Sequence, residues 1–412
     1  MTKYLEKNTI KGPLINLTPD PNLGIVVTIP CYNEPNIVQI LKSLSNCRPP
    51  EKRVEVIVNV NHSFDENDSV IIQNEKTINE IIQFQDTVPF FKLFVIDSRG
   101  IGSKLKGVGV ARKIAMDEAT RRLVQVNHLD GLITGLDADC EVSSNYFTAI
   151  EAAFNNNPKA SSASIYFEHP ISANQFPLNL LKAIVDYELH LRYFKNAKVW
   201  SGLKDAYYTV GSSMVVRAKD YMSQGGMNKR QAAEDFYFIH KFTALQKHIE
   251  INDCTVFPSP RVSDRVPFGT GKAIGEIIEQ EDYKTYAIES FRDLKIVIIL
   301  MKGLSKESSS LSDIYQQCPK SFQYFLSFGE FKSHCDEIAR NTSSPLQFEK
   351  RLFKWINAFF VMKYVHHCRD YFYPNVDVLV AYKDLAKLNN WDVVDEKMAA
   401  LEQIRNYDRR LV

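Results

Sequence analysis

Three short stretches carry carboxylates at spacings suited to chemistry on a phosphorylated substrate. Asp137-Ala138-Asp139 directly follows the apolar run Gly131–Leu136. Two carboxylates one residue apart at a strand end can both reach a divalent cation, and a hard ion such as Mg2+ or Mn2+ takes oxygen ligands together with substrate phosphates. Such a site suits a diphosphate leaving group. The plainer reading of the pair is a helix cap and a solvated turn, with Ser143 or Ser144 capping the helix that follows. The second stretch is Ile29-Pro30-Cys31-Tyr32-Asn33-Glu34. Here Pro30 stops a strand, Tyr32 can lie against a flat base, and Glu34 offers an acceptor to a ring N–H or a ribose hydroxyl; a turn plus a helix cap would need the same residues. The third is Glu234-Asp235 at a helix start, preceded by the turn Gly225-Gly226-Met227-Asn228. A carboxylate there can also serve only as a complement to the helix dipole.

The elements around these stretches place them together. From Gly24 to about Leu136, short apolar runs alternate with helical patterns, which predicts a parallel α/β sheet. The strands are Gly24–Pro30, Val54–Val60, Phe91–Asp97 and Gly131–Leu136, apolar almost throughout, as strands covered on both faces are. Helices are expected at Asn36–Ser45, within Ser69–Phe84, and at Val110–Val126, where Ala111, Ala115, Ala119 and Leu123 recur every four residues. The strand C-terminal ends then share one edge, and in open parallel sheets that edge carries the ligand site. Residues 160–266 read as α+β added to this sheet, with strands at Ser162–Phe167, Tyr207–Arg217 and Thr255–Phe257 and helices at Asn179–Tyr193 and Glu234–Leu245. Beyond about Gly269 the pattern is helical, with amphipathic segments at Pro345–Tyr371 and Val393–Tyr407.

Composition narrows the class. The 412 residues are 45% hydrophobic and 24% charged, which excludes a disordered or fibrous chain. With a formal net charge of +1, no global field draws the chain to nucleic acid or to an anionic membrane. Seven widely spread cysteines without a CxxC pair fit a reducing compartment rather than a disulfide framework or a zinc module. The N-terminal MTKYLEKNTIKG lacks the apolar core of a signal peptide. The longest apolar stretches, Ile296–Met301 and Ala358–Met362, fall far short of the roughly 20 residues that span a bilayer. A cytoplasmic protein is expected.

In their order, the motifs IPCYNE (29–34), GVGVARK (107–113), LDADC (136–140), GSSMVVRA (211–218), GGM (225–227) and AEDFYF (233–238) resemble those of the family 2 glycosyltransferases. The resemblance covers roughly Gly24 to Phe268. It implies a GT-A-like nucleotide-binding mixed sheet flanked by helices over residues 20–270, followed by a mainly helical C-terminal region, 271–412, with an acceptor-site or packing role. It also implies a metal-dependent transferase that moves a sugar from a nucleoside-diphosphate sugar to an acceptor hydroxyl with inversion. The nucleoside would be held by Pro30, Tyr32 and Glu34. Asp137 and Asp139 would handle ribose and the Mn2+ or Mg2+ ion, Arg112 would assist the donor, and Asp235 of the Glu234-Asp235 pair would be the general base.

Three places depart from the family's pattern, one of them the region from Gly269 onward, which matches none of its motifs and so inherits no acceptor recognition. After the second strand, Asn61 stands where the family has a base-reading Asp, and an amide both donates and accepts, which leaves the base open. Lys113 stands where Asn is common, to meet phosphate or to lie exposed on its helix. Arg261 and Arg265, spaced by four, are placed to close over the diphosphate, with Arg99 as a further donor; Gly269 and Gly271 suggest a loop that orders on donor binding.

Other features carry less. His334-Cys335 and His366-His367-Cys368 lack zinc spacing and read as packing positions. The aromatics Trp355, Phe359, Phe360, Tyr364, Tyr371, Phe372 and Tyr373 read as a packed helix face, with Lys350, Arg351, Lys354 and Lys363 beside them allowing peripheral contact with the inner face of a membrane. The acceptor is open among glycan, lipid-linked and small-molecule hydroxyls. A sugar-phosphate nucleotidyltransferase would want a Gly-rich basic loop after the first strand, where this chain has Pro-Cys-Tyr-Asn-Glu. A dinucleotide-dependent oxidoreductase would want a GxGxxG after a strand, and none is present. A non-catalytic sugar-nucleotide-binding protein of the same fold is the remaining alternative.

Overall fold

The computed structural model describes residues 2–10, 12–101, 107–172, 176–203, 206–230, 233–263, 269–280, 283–304 and 310–410. In chain order the elements are α1 (Thr2–Lys7), β1 (Leu23–Cys31), α2 (Ile37–Ser45), β2 (Arg53–Ser63), α3 (Asp68–Gln85), β3 (Phe91–Ile101), α4 (Val108–Gln125), β4 (Leu132–Gly135), β5 (Cys140–Val142), α5 (Tyr146–Asn156), β6 (Ser162–Phe167), α6 (Leu178–Trp200), β7 (Met214–Arg217), α7 (Ala218–Ser223), α8 (Glu234–Thr243) and β8 (His248–Pro258). There follow α9 (Thr270–Gln280), β9 (Lys284–Thr285), α10 (Ile288–Gly303), α11 (Leu311–Gln317), α12 (Lys320–Phe325), α13 (Phe328–Arg340), α14 (Pro345–Trp355), α15 (Ala358–Tyr371), β10 (Val376–Asp377), α16 (Val378–Asn389) and α17 (Lys397–Arg410).

The chain divides into two compact units. The first comprises Met1–Phe176, Tyr208–Gly275 and Asp408–Val412; the second comprises Pro177–Tyr207 and Glu276–Tyr407. Helix α6, inside the stretch read from sequence as α+β, thus groups with the C-terminal helices.

In the first unit, the described strands form an eight-stranded sheet in the order β3-β2-β1-β4-β7-β6-β8-β5. β1 runs parallel to β2 and β4, and β2 parallel to β3, while β7 runs antiparallel to both β4 and β6. This is the mixed α/β sheet of a GT-A-like domain. Chain order reverses between β1 and β4, the position at which such sheets open a crevice at their strand ends. β1 is buried along nearly its whole length, because its β-branched run packs on both faces. On one face lies α4, whose Ala111, Ala115 and Ala119 are fully buried and small enough to bring its backbone close to the sheet. α4 also buries charge, and each charged side chain finds a partner, as burial requires. Arg122 forks onto Glu55 of β2 and donates to Leu17 O at 2.8 Å.

The second unit is mainly helical. Its core includes Tyr193, Phe291, Leu294, Phe322, Tyr364 and Leu385. Buried Glu188 of α6 accepts from Arg192 at 2.7 Å and from both Nε and Nη2 of Arg405 at 2.7 Å.

Several local expectations are corrected. Only Met214–Arg217 of the run from Tyr207 is strand, since the preceding residues turn through Gly211-Ser212-Ser213. The segment Pro345–Tyr371 is two helices, because Asn357 interrupts it and caps α15, its side chain accepting from Phe359 N and Phe360 N. The residue before α5 is Asn145, not a serine; Ser143 Oγ instead donates to Asn145 Oδ1 at 2.8 Å and accepts from Thr255 N at 2.9 Å. The last helix runs over Lys397–Arg410, later than the sequence pattern placed it.

Candidate functional site

After β1 the backbone turns through Asn33 at φ 49°, a left-handed conformation that costs a residue with a Cβ. Helix α3 holds this turn in place. Asn74 Oδ1 accepts from Asn33 N at 2.8 Å, and Asn74 Nδ2 donates to Asn61 O, near the end of β2, at 3.2 Å. Thr77 Oγ1 and Gln73 Nε2 donate to Glu34 O at 2.9 and 3.2 Å. One fully buried amide therefore ties two strand ends together. Sequence reasoning missed these residues, although a signal existed: Asn74 and Thr77 stand inside the apolar stripe Val70, Ile78 and Ile81 of α3. We expect Asn74→Ala to lose about 1–2 kcal/mol, seen as a melting point lowered by about 3–6 °C. It should also weaken nucleotide binding, and unchanged values for both would remove Asn74 from this role.

The turn drives Glu34 inward, to zero exposure. Its Oε1 accepts from Asn36 N at 3.1 Å, and Arg261 forks onto it, Nη1 to Oε1 at 3.1 Å and Nη2 to Oε2 at 2.5 Å. Arg261 Nε also lies 2.9 Å from Asp139 Oδ2, a charge contact out of line for a hydrogen bond. Pro30 and Tyr32 are partly buried beside this turn, and Asn61 is 5% exposed.

A second guanidinium gathers the remaining motifs. Arg112, carried inward by α4, donates from Nη2 to Asp137 Oδ1 at 2.5 Å, from Nε to Glu234 Oε1 at 2.9 Å and from Nη1 to Gly211 O at 3.0 Å. A Cβ at Gly211 would stand 2.5 Å from Arg112 Nη2 and 3.2 Å from Asp235 Oδ2, so glycine is needed for this approach. Gly109 has a similar place on α4, where a Cβ would collide with the Arg230 carbonyl; its absence lets the 228–230 loop lie on the first helical turn.

Glu234 and Asp235 open α8 behind Ala233, another residue at positive φ, 56°. Asp235 Oδ1 accepts from Phe236 N at 2.7 Å. Burial pushes the Asp235 carboxyl up to about 7, Glu234 adds repulsion, and Arg112 opposes both. Burial alone would discharge Arg112, but Asp137, Glu234 and Asp235 together hold it firmly protonated.

Other candidates lie elsewhere. Lys113 neither faces a phosphate position nor lies exposed: it is buried with Nζ 3.1 Å from Asp117 Oδ2 and 3.2 Å from Tyr4 Oη. Asp117 Oδ1 also accepts from the Tyr4 and Tyr221 hydroxyls, both at 2.8 Å. Arg99 forks onto neighbouring Asp97 at 2.9 and 2.7 Å. Arg265 lies outside the described residues. His334 stacks on Trp355 and His366 pairs with the Tyr286 hydroxyl at 2.8 Å, while all seven cysteines are buried and outside any disulfide. Among the described residues no helix is long and apolar enough to cross a membrane, and no three His, Cys, Asp or Glu side chains cluster as a metal site.

The donor set still suits a cation that takes part of its shell from substrate. Glu34 and Asp139 already share one positive group, the Arg261 guanidinium, and their oxygens are hard donors. Mg2+ needs only one or two carboxylates when phosphates and water supply the rest. Asp139 fits that requirement, whereas Asp137 leans on Arg112.

No protein-family model matches the chain, and no curated protein matches it. Among solved structures, the chain is similar to S. aureus TarS 1–349 in complex with UDP, at 13% identity and a TM-score of 0.39, over 93% of this chain and 89% of that one. The same TarS fragment with UDP-GlcNAc gives 13% identity and a TM-score of 0.39, over 93% and 90%. The mannosyltransferase PcManGT from Pyrobaculum calidifontis, in complex with GDP-Man and Mn2+, gives 15% identity and a TM-score of 0.35, over 95% and 94%. Likeness at this level assigns no chemistry to the chain.

Proposed function

We propose that the chain is a glycosyltransferase that moves a sugar from a nucleoside-diphosphate sugar to an acceptor hydroxyl, inverting the anomeric carbon. The observation that carries this reading is the grip of Arg112 on both Asp137 and Glu234, which brings two of the sequence motifs to one point with Asp235 beside it. A carboxyl raised to about 7 is poised as a general base near neutral pH. Asp235 takes the acceptor proton as the acceptor oxygen bonds to C1 of the sugar. The bond from C1 to the diphosphate breaks, and its electron pair leaves with the nucleoside diphosphate. Pro30 and Tyr32 pack the base, and Asn61 reads its edge with a buried amide that both donates and accepts. Asp139, with Asp137 near it, would hold the divalent ion, which when bound supplies Lewis-acid stabilisation of the leaving diphosphate. Arg261 supplies guanidinium donors to the same phosphates, and the sequence offers Arg265 for the same task.

The test is a thermal-shift screen with UDP, GDP, CDP, dTDP and ADP, each with Mn2+, Mg2+ or EDTA. A nucleotide at about 100 times its dissociation constant should stabilise the protein by roughly 2.7 kcal/mol. A rise that one base produces best, and that Asn61→Asp re-ranks, is the expected result. No rise with any nucleotide overturns the donor site. Binding with no transfer from any sugar nucleotide favours the non-catalytic alternative.

A further inference from the structure

Glu34 arrives from the turn after β1 and Asp139 from the turn after β4, and one side chain joins them. Two carboxylates held against the same group at low exposure repel each other unless a cation separates them, because water screens them poorly there. Among the described residues, Arg261 is such a cation. Its side chain is 27% exposed, and its backbone segment is anchored beside Asp139: Ser259 N donates to Asp139 O at 3.2 Å, and Arg261 N to Ser259 O at 3.0 Å. The guanidinium can therefore swing on its long side chain while the backbone stays in place.

We infer that Arg261 is a resident counter-ion of the donor site, so that a divalent cation gains Asp139 only when a nucleoside diphosphate draws the guanidinium off that carboxylate. This rests on the donor-site reading above. With Arg261 in place, an added cation meets a fixed positive charge at the carboxylate it needs. A diphosphate reverses the balance, since a guanidinium forks onto phosphate oxygens as readily as onto a carboxylate. Cation and nucleotide then bind with positive coupling, and linkage requires each to raise the other's affinity by the same factor.

The experiment measures Mn2+ affinity of the full chain, from the electron paramagnetic resonance signal of the free ion, with and without the nucleoside diphosphate that stabilises it best. For the wild-type protein, Mn2+ alone should bind weakly and nucleotide should tighten it by about 5–150-fold. Arg261→Gln should bind Mn2+ alone about tenfold tighter, with coupling reduced to about twofold. Arg261→Lys keeps the positive charge and should retain the weak Mn2+ binding of the wild type, which separates charge competition from a folding defect. An Arg261→Gln variant that binds nucleotide but keeps wild-type Mn2+ affinity and coupling overturns the inference alone. Failure of every nucleotide to bind the wild-type protein overturns the donor-site reading instead.

Discussion

Asp235→Asn is expected to lower transfer by about 10²–10⁴-fold while leaving nucleotide affinity nearly intact. The amide keeps the shape of the carboxylate and cannot accept the acceptor proton. In the wild-type protein kcat/KM should rise with pH through about 7, where burial and Glu234 place the Asp235 carboxyl. That rise should vanish from the residual activity of the variant. Stability gives an independent readout. Because the folded-state value lies above the unfolded one, the contribution of Asp235 is fully present below about pH 4 and is lost as pH rises to about 7. Above that, the folded protein holds a charge that it disfavours. The variant should therefore be more stable than wild type at pH 8, by at most roughly 4 kcal/mol, and nearly level with it at pH 4. A fully active Asp235→Asn protein would remove the residue from the mechanism, and a surviving pH limb would place the base elsewhere.

Arg112→Ala should strongly destabilise the first unit. It leaves Glu234, 4% exposed, without its guanidinium, and removes the donors to Asp137 and the Gly211 carbonyl. Breaking a buried ion pair from one side costs about 3–5 kcal/mol, which here should lower the melting point by roughly 10 °C. Activity should fall as well, because the main influence opposing protonation of Asp235 is gone and its titration moves upward from about 7. Arg112→Lys should recover only part, since one ammonium cannot meet Asp137, Glu234 and the Gly211 carbonyl in the fork that Arg112 provides. Adding Glu234→Gln to Arg112→Ala should restore stability beyond simple addition, because it removes the stranded charge. The probe must be calorimetry rather than tryptophan emission, as Trp200, Trp355 and Trp391 all belong to the helical unit. A melting point within about 1 °C of wild type would show that Arg112 does not hold the site together.

The acid pair and the Asp dyad were legible from sequence because each is local, a short motif at a strand or helix boundary. The first three strands and the helices that follow them were legible for the same reason, as long apolar runs and a four-residue alanine repeat survive without knowledge of partners. Partnership was not legible. Arg112 stands 25 positions from Asp137 and 122 from Glu234, and Arg261 stands 227 from Glu34, with nothing along the chain to mark them as pairs. Lys113 shows the same limit from the other side: one residue from Arg112 on a buried helix, it points by helical geometry to Asp117 and Tyr4 instead of the site. By itself, the sequence determined an α/β sheet that delivers Pro30, Asp137 and Asp139 to strand ends, because side-chain period and strand length are local properties. Only the tertiary structure decided which cation each carboxylate meets, that Asn74 ties the Asn33 turn to Asn61, and that Gly211 leaves room for Arg112 beside Asp235. Those outcomes depend on charges and volumes brought together across the sheet, where burial makes every unpaired group costly and so selects the pairing.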